Sequence, residues 1–160
     1  MIPKIRTLVP VCLLFTLLFG CGGEEESPGT KEGGDFVALR ASETNLRAGP
    51  GKHFPVVYVY KLRHMPLRVL GEYDKWLRVI DMDGDSGWVN EGLTTKLRTV
   101  ITINTEQFMY HNFDQISYPT HRVEKSVVAR LLGCKKHRCR VSIGKTRGWI
   151  NKSDLWGYGW

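Results

Sequence analysis

The chain is poor in the residues that build metal and catalytic centres. It carries four cysteines and five histidines in 160 residues. Cys134 and Cys139 have His137 between them, but the spacing is wrong for zinc and no second pair of ligands follows. His53, His64, His111 and His121 show neither an H-x-x-E-H motif nor any other paired spacing. His137 is the one histidine close to a cysteine, and it falls on a turn, which is a poor place for the base of a cysteine nucleophile. Asp81, Asp83 and Asp85 alternate around Gly84 like a calcium loop. The required terminal acid is out of register at Glu91, and the flanks read as strands where the EF-hand needs helices, so a solvated hairpin is expected. Beyond the first 21 residues no run is long enough to cross a bilayer. A hydrolase would need about 100 further residues of catalytic domain. No catalytic residue, metal or cofactor is therefore assigned.

What is present begins with an export signal. Lys4 and Arg6 precede an apolar run of about a dozen residues from Leu8 to Phe19, the size of a signal-peptide core. The run ends in Leu18-Phe19-Gly20-Cys21, which resembles the lipobox of bacterial lipoproteins although Phe19 departs from its usual small or aliphatic residue. That resemblance implies acylation of Cys21 and a membrane anchor. With no Asp after the cysteine (Gly22), it also implies the periplasmic side of the outer membrane if the cell is Gram-negative. The alternatives are soluble export and an uncleaved anchor. Cys12 lies within the apolar run and leaves with it.

Residues 22–35 form an acidic linker with nothing to bury, expected to stay disordered and hold the rest off the membrane. From Phe36 onward 20 basic face 11 acidic residues, a net of +9, whereas the linker is at −4 with five acids against Lys31. A basic body on an acidic tether suits an anionic surface: acidic lipids, cell-wall polymers or an acidic protein. Simple solubility of a small domain accounts for it equally well. Export argues against nucleic acid. A hydrophobic content of 42% with 11% aromatic residues is enough for a folded core.

Short apolar runs broken by turn residues fill Asn45 to Val89. Gly49-Pro50-Gly51 reverses the chain tightly. Leu67, Val69, Leu77 and Val79 alternate with Arg68, Arg78 and their neighbours, the period of half-buried strands. Glu72 to Lys75 reads as a turn. Asp81 to Gly87 reads as a hairpin loop. Glu91-Gly92-Leu93 reads as a short helical turn, followed by a last strand near Lys96 to Val100.

Asn45-Leu46-Arg47-Ala48-Gly49-Pro50-Gly51, then Pro55-Val56-Val57, Trp76-Leu77-Arg78-Val79 and Gly87-Trp88-Val89 together resemble a bacterial SH3-like domain. The resemblance implies a small, strongly bent β-barrel and says little about activity, because such domains serve many partners. In SH3-like folds a Trp at the place of Trp76 often lines a peptide groove. With Tyr58, Tyr60 and the outward-facing Arg78 it would make an aromatic platform; the other reading is an edge-packed Trp. The acidic loop that selects basic ligands in eukaryotic relatives is replaced by Arg47, Lys52 and His53. The groove Tyr of the helical turn is also missing, so polyproline recognition does not carry over.

The pattern occurs twice. Leu70-Gly71 and Arg78-Val79 return as Leu132-Gly133 and Arg140-Val141 at an offset of 62, and Gly87-Trp88-Val89 returns as Gly148-Trp149-Ile150 at an offset of 61. This is an internal repeat of a supersecondary unit. The second copy lacks the Asn-Leu-Arg opening and has instead a stretch from Glu106 to Lys125, expected as a long loop. Trp88 and Trp149 are expected in the cores, the other reading being that they stack on a ligand, and Trp156 is expected to pack. The register places Cys134 and Cys139 opposite one another across a turn, where an oxidising compartment favours a disulfide over two free thiols.

The expectation is therefore all-β: a signal helix over 1–21, a linker over 22–35, and two tandem SH3-like barrels over 36–98 and 99–160. The function expected is non-catalytic envelope binding or adaptor work, with a cell-wall polymer or envelope protein as partner. The rival is an accessory targeting subunit of a peptidoglycan hydrolase, or a cryptic hydrolase.

Overall fold

A computed structural model describes residues 35–113 and 117–160. The signal peptide, the Cys21 lipobox and the linker up to residue 34 lie outside the described residues. Among the described residues no helix is long and apolar enough to cross a membrane.

Two seven-stranded antiparallel sheets follow one another. The first holds β1 (Phe36–Leu39), β2 (Thr44–Arg47), β3 (Val56–Tyr60), β4 (Pro66–Tyr73), β5 (Trp76–Ile80), β6 (Ser86–Asn90) and β7 (Thr94–Thr95), with a 3-10 turn at Glu91–Leu93. The second holds β8 (Thr99–Thr102), β9 (Glu106–Tyr110), β10 (Pro119–Glu124), β11 (Val128–Lys135), β12 (Arg138–Ile143), β13 (Thr146–Asn151) and β14 (Leu155–Trp156), with a 3-10 turn at Lys152–Asp154. Spatial orders are β3-β2-β6-β5-β4-β1-β7 and β10-β9-β13-β12-β11-β8-β14. Strand for strand, they are the same order.

The repetition reaches the backbone. The β4–β5 register slips between Val69 and Gly71, and the β11–β12 register slips between Leu131 and Gly133, 62 residues on. His64 and Ser126 both take positive φ, as do Asp74 and Lys136, again 62 apart. Bulges at matching places bend each sheet in the same sense, which closes a small barrel.

Alternation fills each core. In β5, Leu77 and Val79 point inward; in β12, Cys139 and Val141 do. Leu39, Leu46, Leu67, Val79 and Val89 anchor the first core. Val100, Met109, Leu131, Val141 and Ile150 anchor the second. The asparagine before the first 3-10 turn caps it, with Asn90 Oδ1 accepting from the Gly92 N–H at 3.1 Å.

Three expectations are corrected. Glu106 to Lys125 is a hairpin, not a long loop. Its inward positions are Gln107, Met109 and Val123, too sparse and partly polar to announce strands. Gln107 is buried because its Nε2 donates to the carbonyls of Val123 and Glu124 at 2.6 and 2.7 Å. The Glu72–Lys75 turn is shorter than expected, because β4 runs on through Tyr73. The strand expected near Lys96 to Val100 is split: β7 ends the first sheet at Thr95, and β8 opens the second at Thr99.

β8 also joins the barrels. Val100 packs into the second core and its neighbour Ile101 into the first. Successive strand residues face opposite ways, so this strand is buried on both sides. Thr99 Oγ1 donates to the His64 carbonyl at 2.8 Å, and Trp160 Nε1 donates to the Thr99 carbonyl at 2.7 Å. Phe36 meets Trp156 edge-on at 5.8 Å and Trp160 at 6.0 Å.

Candidate ligand groove

The outer face of the first barrel carries a groove of about 510 Å³. β6 contributes Trp88, β5 contributes Arg78, and β3 contributes Val57 and Tyr58, with buried Leu46 and exposed Ala48 completing the apolar lining. Arg78 and Arg47 are the cross-strand partners of Trp88 on its two sides. Because Gly87 and Val89 point inward, the indole between them must point outward. It is half-buried, while Val57 and Tyr58 are 54% and 50% exposed. With Asp85 also in the lining, the set presents aromatic faces, apolar groups, one guanidinium and one carboxylate to solvent.

Gly87 lets this strand approach β2. A Cβ there would sit 2.7 Å from Leu46 Cγ and 2.8 Å from the Arg47 carbonyl oxygen. The glycine of the Gly-Trp-Val motif is thus a packing requirement, and the groove-facing Trp follows from it by alternation.

The residues expected to form one platform are divided. Tyr58 and Arg78 line the groove. Tyr60 does not: it is buried in the core, and its hydroxyl donates to Asp81 Oδ2 at 3.0 Å. Tyr60 still touches Tyr58, with ring centroids 5.0 Å apart, and so buttresses it from inside. Burial, and after it the Asp81 carboxylate, hold the Tyr60 phenol far above its ordinary range. Tyr58 and Tyr60 share one face of β3, across from Leu46 and Thr44, and differ in depth: Tyr60 is covered and Tyr58 is not, a difference the apolar run of β3 does not mark.

Trp76 is on the outer side but is nearly covered, lining a separate groove of about 220 Å³ with Arg47, Lys52 and Asn90. Trp88, expected in the core, instead faces outward and lines the larger of these two grooves. The signal was available: Val89 pairs with inward Leu77, which fixes Trp88 outward. Trp149 is likewise on the outer face of its barrel, with Phe113 edge-on at 5.2 Å.

The acidic hairpin is held by one of its own aspartates. Asp81 Oδ1 accepts the N–H of Asp83 at 3.0 Å and of Asp85 at 2.9 Å. Both its oxygens are therefore engaged within the protein, the second by Tyr60. Among the described residues no group of three or more His, Cys, Asp or Glu is placed to hold a metal ion. Cys134 and Cys139 are cross-strand partners joined by a disulfide, with Cα atoms 4.0 Å apart.

A bent seven-stranded barrel, present twice in the same strand order, defines a tandem of small all-β domains. The family described as "Bacterial SH3 domain" matches residues 40–96 and again 105–157. The chain belongs to that family, in two tandem copies. No curated protein matches it. Among solved structures it is similar to NlpC2 from Trichomonas vaginalis, at 13% identity over 79% of this chain and 49% of that one, with a TM-score of 0.35. NlpC1 from the same organism gives 12% identity over 79% and 47%, with a TM-score of 0.37. An NlpC/P60 family protein from Bacillus cereus gives 14% over 76% and 56%, with a TM-score of 0.35. The chain spans about half the length of these structures.

Proposed function

We propose that this protein is a non-catalytic binding or adaptor module of the cell envelope, and that the groove of Tyr58, Arg78 and Trp88 is its contact with the cell wall or an envelope protein. The observation that carries the reading is the open groove on the first barrel, in a chain of two bacterial SH3 domains. A binding role is supported by how the reactive groups are used. Cys134 and Cys139 are bonded to each other, and Asp81 holds its own loop and Tyr60. Export behind residues 1–21, with Cys21 acylated and the acidic linker as tether, belongs to the same proposal. It would place the groove near the wall at high local concentration.

Purified sacculi provide the test. The full exported chain should co-sediment with them, and Trp88→Ala or Arg78→Ala should reduce the bound fraction several-fold at unchanged folding. Wild-type protein that stays in solution at low salt removes the cell wall as ligand. Retention of binding by Trp88→Ala removes the groove.

A further inference from the structure

We propose that the outer face of the second barrel is a separate site for an extended polyanion, a chain carrying repeated phosphate or carboxylate groups, held by Arg130, Arg140 and Arg147. In β12 the inward residues are Cys139 and Val141, so Arg140 and Ser142 face outward. Ser142 is the cross-strand partner of Arg130 on one side and of Arg147 on the other. The three arginines thus share one face across three adjacent strands. Strand spacing separates the stations of Arg130 and Arg147 by ~10 Å, and Arg140 lies one outward position along, ~7 Å away. All three are exposed. Among the described residues none has an acidic partner; the ion pair recorded on this barrel, Arg122 with Glu106 at 2.9 Å, is on β9 and β10.

The first barrel shows that the fold does not require this trio. Arg68, the counterpart of Arg130, lies over the Trp156 ring at 5.9 Å. Arg78, the counterpart of Arg140, shares its groove with Asp85. Ser86 stands where the second barrel has Arg147. From Thr99 onward ten basic residues face four acidic ones, so this barrel holds most of the body's excess charge.

Guanidinium forks match the oxygens of phosphate and carboxylate. Three forks at this spacing match successive groups along a chain better than one small anion. A soluble polymer fits better than a membrane surface. Phe113 stands edge-on against Trp149 and the Arg138 guanidinium lies over Tyr110 at 4.0 Å, leaving both rings half-buried, and exposed apolar side chains of this barrel, Phe108, Tyr118 and Leu132, sit on β9, ahead of β10 and on β11 rather than together. The β12–β13 tip is Gly144-Lys145, with no apolar side chain to insert.

The test is calorimetric titration of the full chain, with no cell-wall material, so that failure of the groove proposal does not affect it. The probes are inorganic polyphosphate, poly-glutamate, orthophosphate and phosphatidylglycerol vesicles. At least one polymer should bind, with affinity falling steeply with salt, and the stronger of the two names the anion. The triple variant Arg130→Gln/Arg140→Gln/Arg147→Gln should weaken it tenfold or more. A charge-matched variant, Lys61→Gln/Lys96→Gln/Lys125→Gln, should stay within twofold. Equal losses in both triples would reduce the effect to net charge and overturn the site. Orthophosphate competing as well as polymer at equal anion concentration, or vesicles binding where polymers do not, would overturn it too.

Discussion

Arg138 in the second barrel stands where Trp76 stands in the first: each is the cross-strand partner of an asparagine, Asn151 and Asn90. The exchange is matched next door, where Tyr110 replaces Arg47 as the partner of the outward tryptophan. One barrel therefore pairs an indole with a nearby arginine, and the other a guanidinium with a nearby phenol ring. Arg138 Nε donates to Asn151 Oδ1 at 3.1 Å, and its Nη1 donates to the Phe113 carbonyl at 3.2 Å, although the residue is only 6% exposed.

Arg138→Ala should accordingly destabilise the protein by about 1–3 kcal/mol, since it removes packing over Tyr110 and takes a donor from the part-buried acceptors of Asn151 and Phe113. Arg138→Lys should recover little, because an ammonium cannot reproduce the fork. Urea unfolding read by tryptophan fluorescence measures both. A loss under 0.5 kcal/mol for the alanine variant would contradict the structure.

Gly148 repeats the constraint at Gly87. A Cβ at Gly148 would collide with Met109 Cγ and approach the Tyr110 carbonyl oxygen to 2.8 Å. Alanine at either glycine should cost about 1–3 kcal/mol through overpacking against backbone. Gly71→Ala is the control, because no atom lies within 4 Å of a Cβ there. Thermal melts of the three variants should separate the first two from the third.

Tyr60 gives the protein an alkaline limit. Its phenol stays protonated in the fold above the pH at which the unfolded chain ionises, near 10. Above that pH the unfolded state binds fewer protons than the native state, so stability falls as pH rises, by up to about 1.4 kcal/mol per unit from this group. The contribution is fully present below pH 10. Tyr60→Phe should be less stable at neutral pH, because Asp81 Oδ2 loses its donor, and should decline less steeply between pH 10 and 12. Parallel curves for the two proteins would show that Tyr60 is not the cause.

Reducing the Cys134–Cys139 bridge should lower stability by about 2 kcal/mol, a modest effect because the closed loop is short. Mass spectrometry after alkylation without reductant should show no adduct at these positions. The Cys134→Ser/Cys139→Ser variant should match the reduced protein in its urea midpoint.

Much of this was legible in the sequence because the repeat is written in its glycines and tryptophans. The offset of 62 that aligns Arg78 with Arg140 also aligns the bulges, the positive-φ residues and the pairing of Cys134 with Cys139. Two kinds of feature escaped. The β9–β10 hairpin was hidden because its inward face uses Gln107, whose burial depends on carbonyls 16 and 17 residues away. Site membership was misread where alternation was not followed through. Tyr60 lies in the core and Trp88 on the outer face, and strand parity from Val89 would have corrected the second. For Tyr60 the difference from Tyr58 is one of depth along a shared face, which the apolar run Val56–Tyr60 does not mark.

The contact of Phe36 with Trp156 and Trp160 makes the two halves of the chain finish together. Phe36 opens the first sheet, yet its aromatic neighbours are translated some 120 residues later. Ile101, a member of the first core, likewise arrives only after β7 is complete. A polypeptide emerging vectorially can pair the strands of its leading barrel early, but that barrel stays unsealed until the second has been made. Unfolding should therefore appear as a single cooperative event, and a cut between residues 95 and 99 would give two fragments with exposed apolar surface, not two free-standing domains.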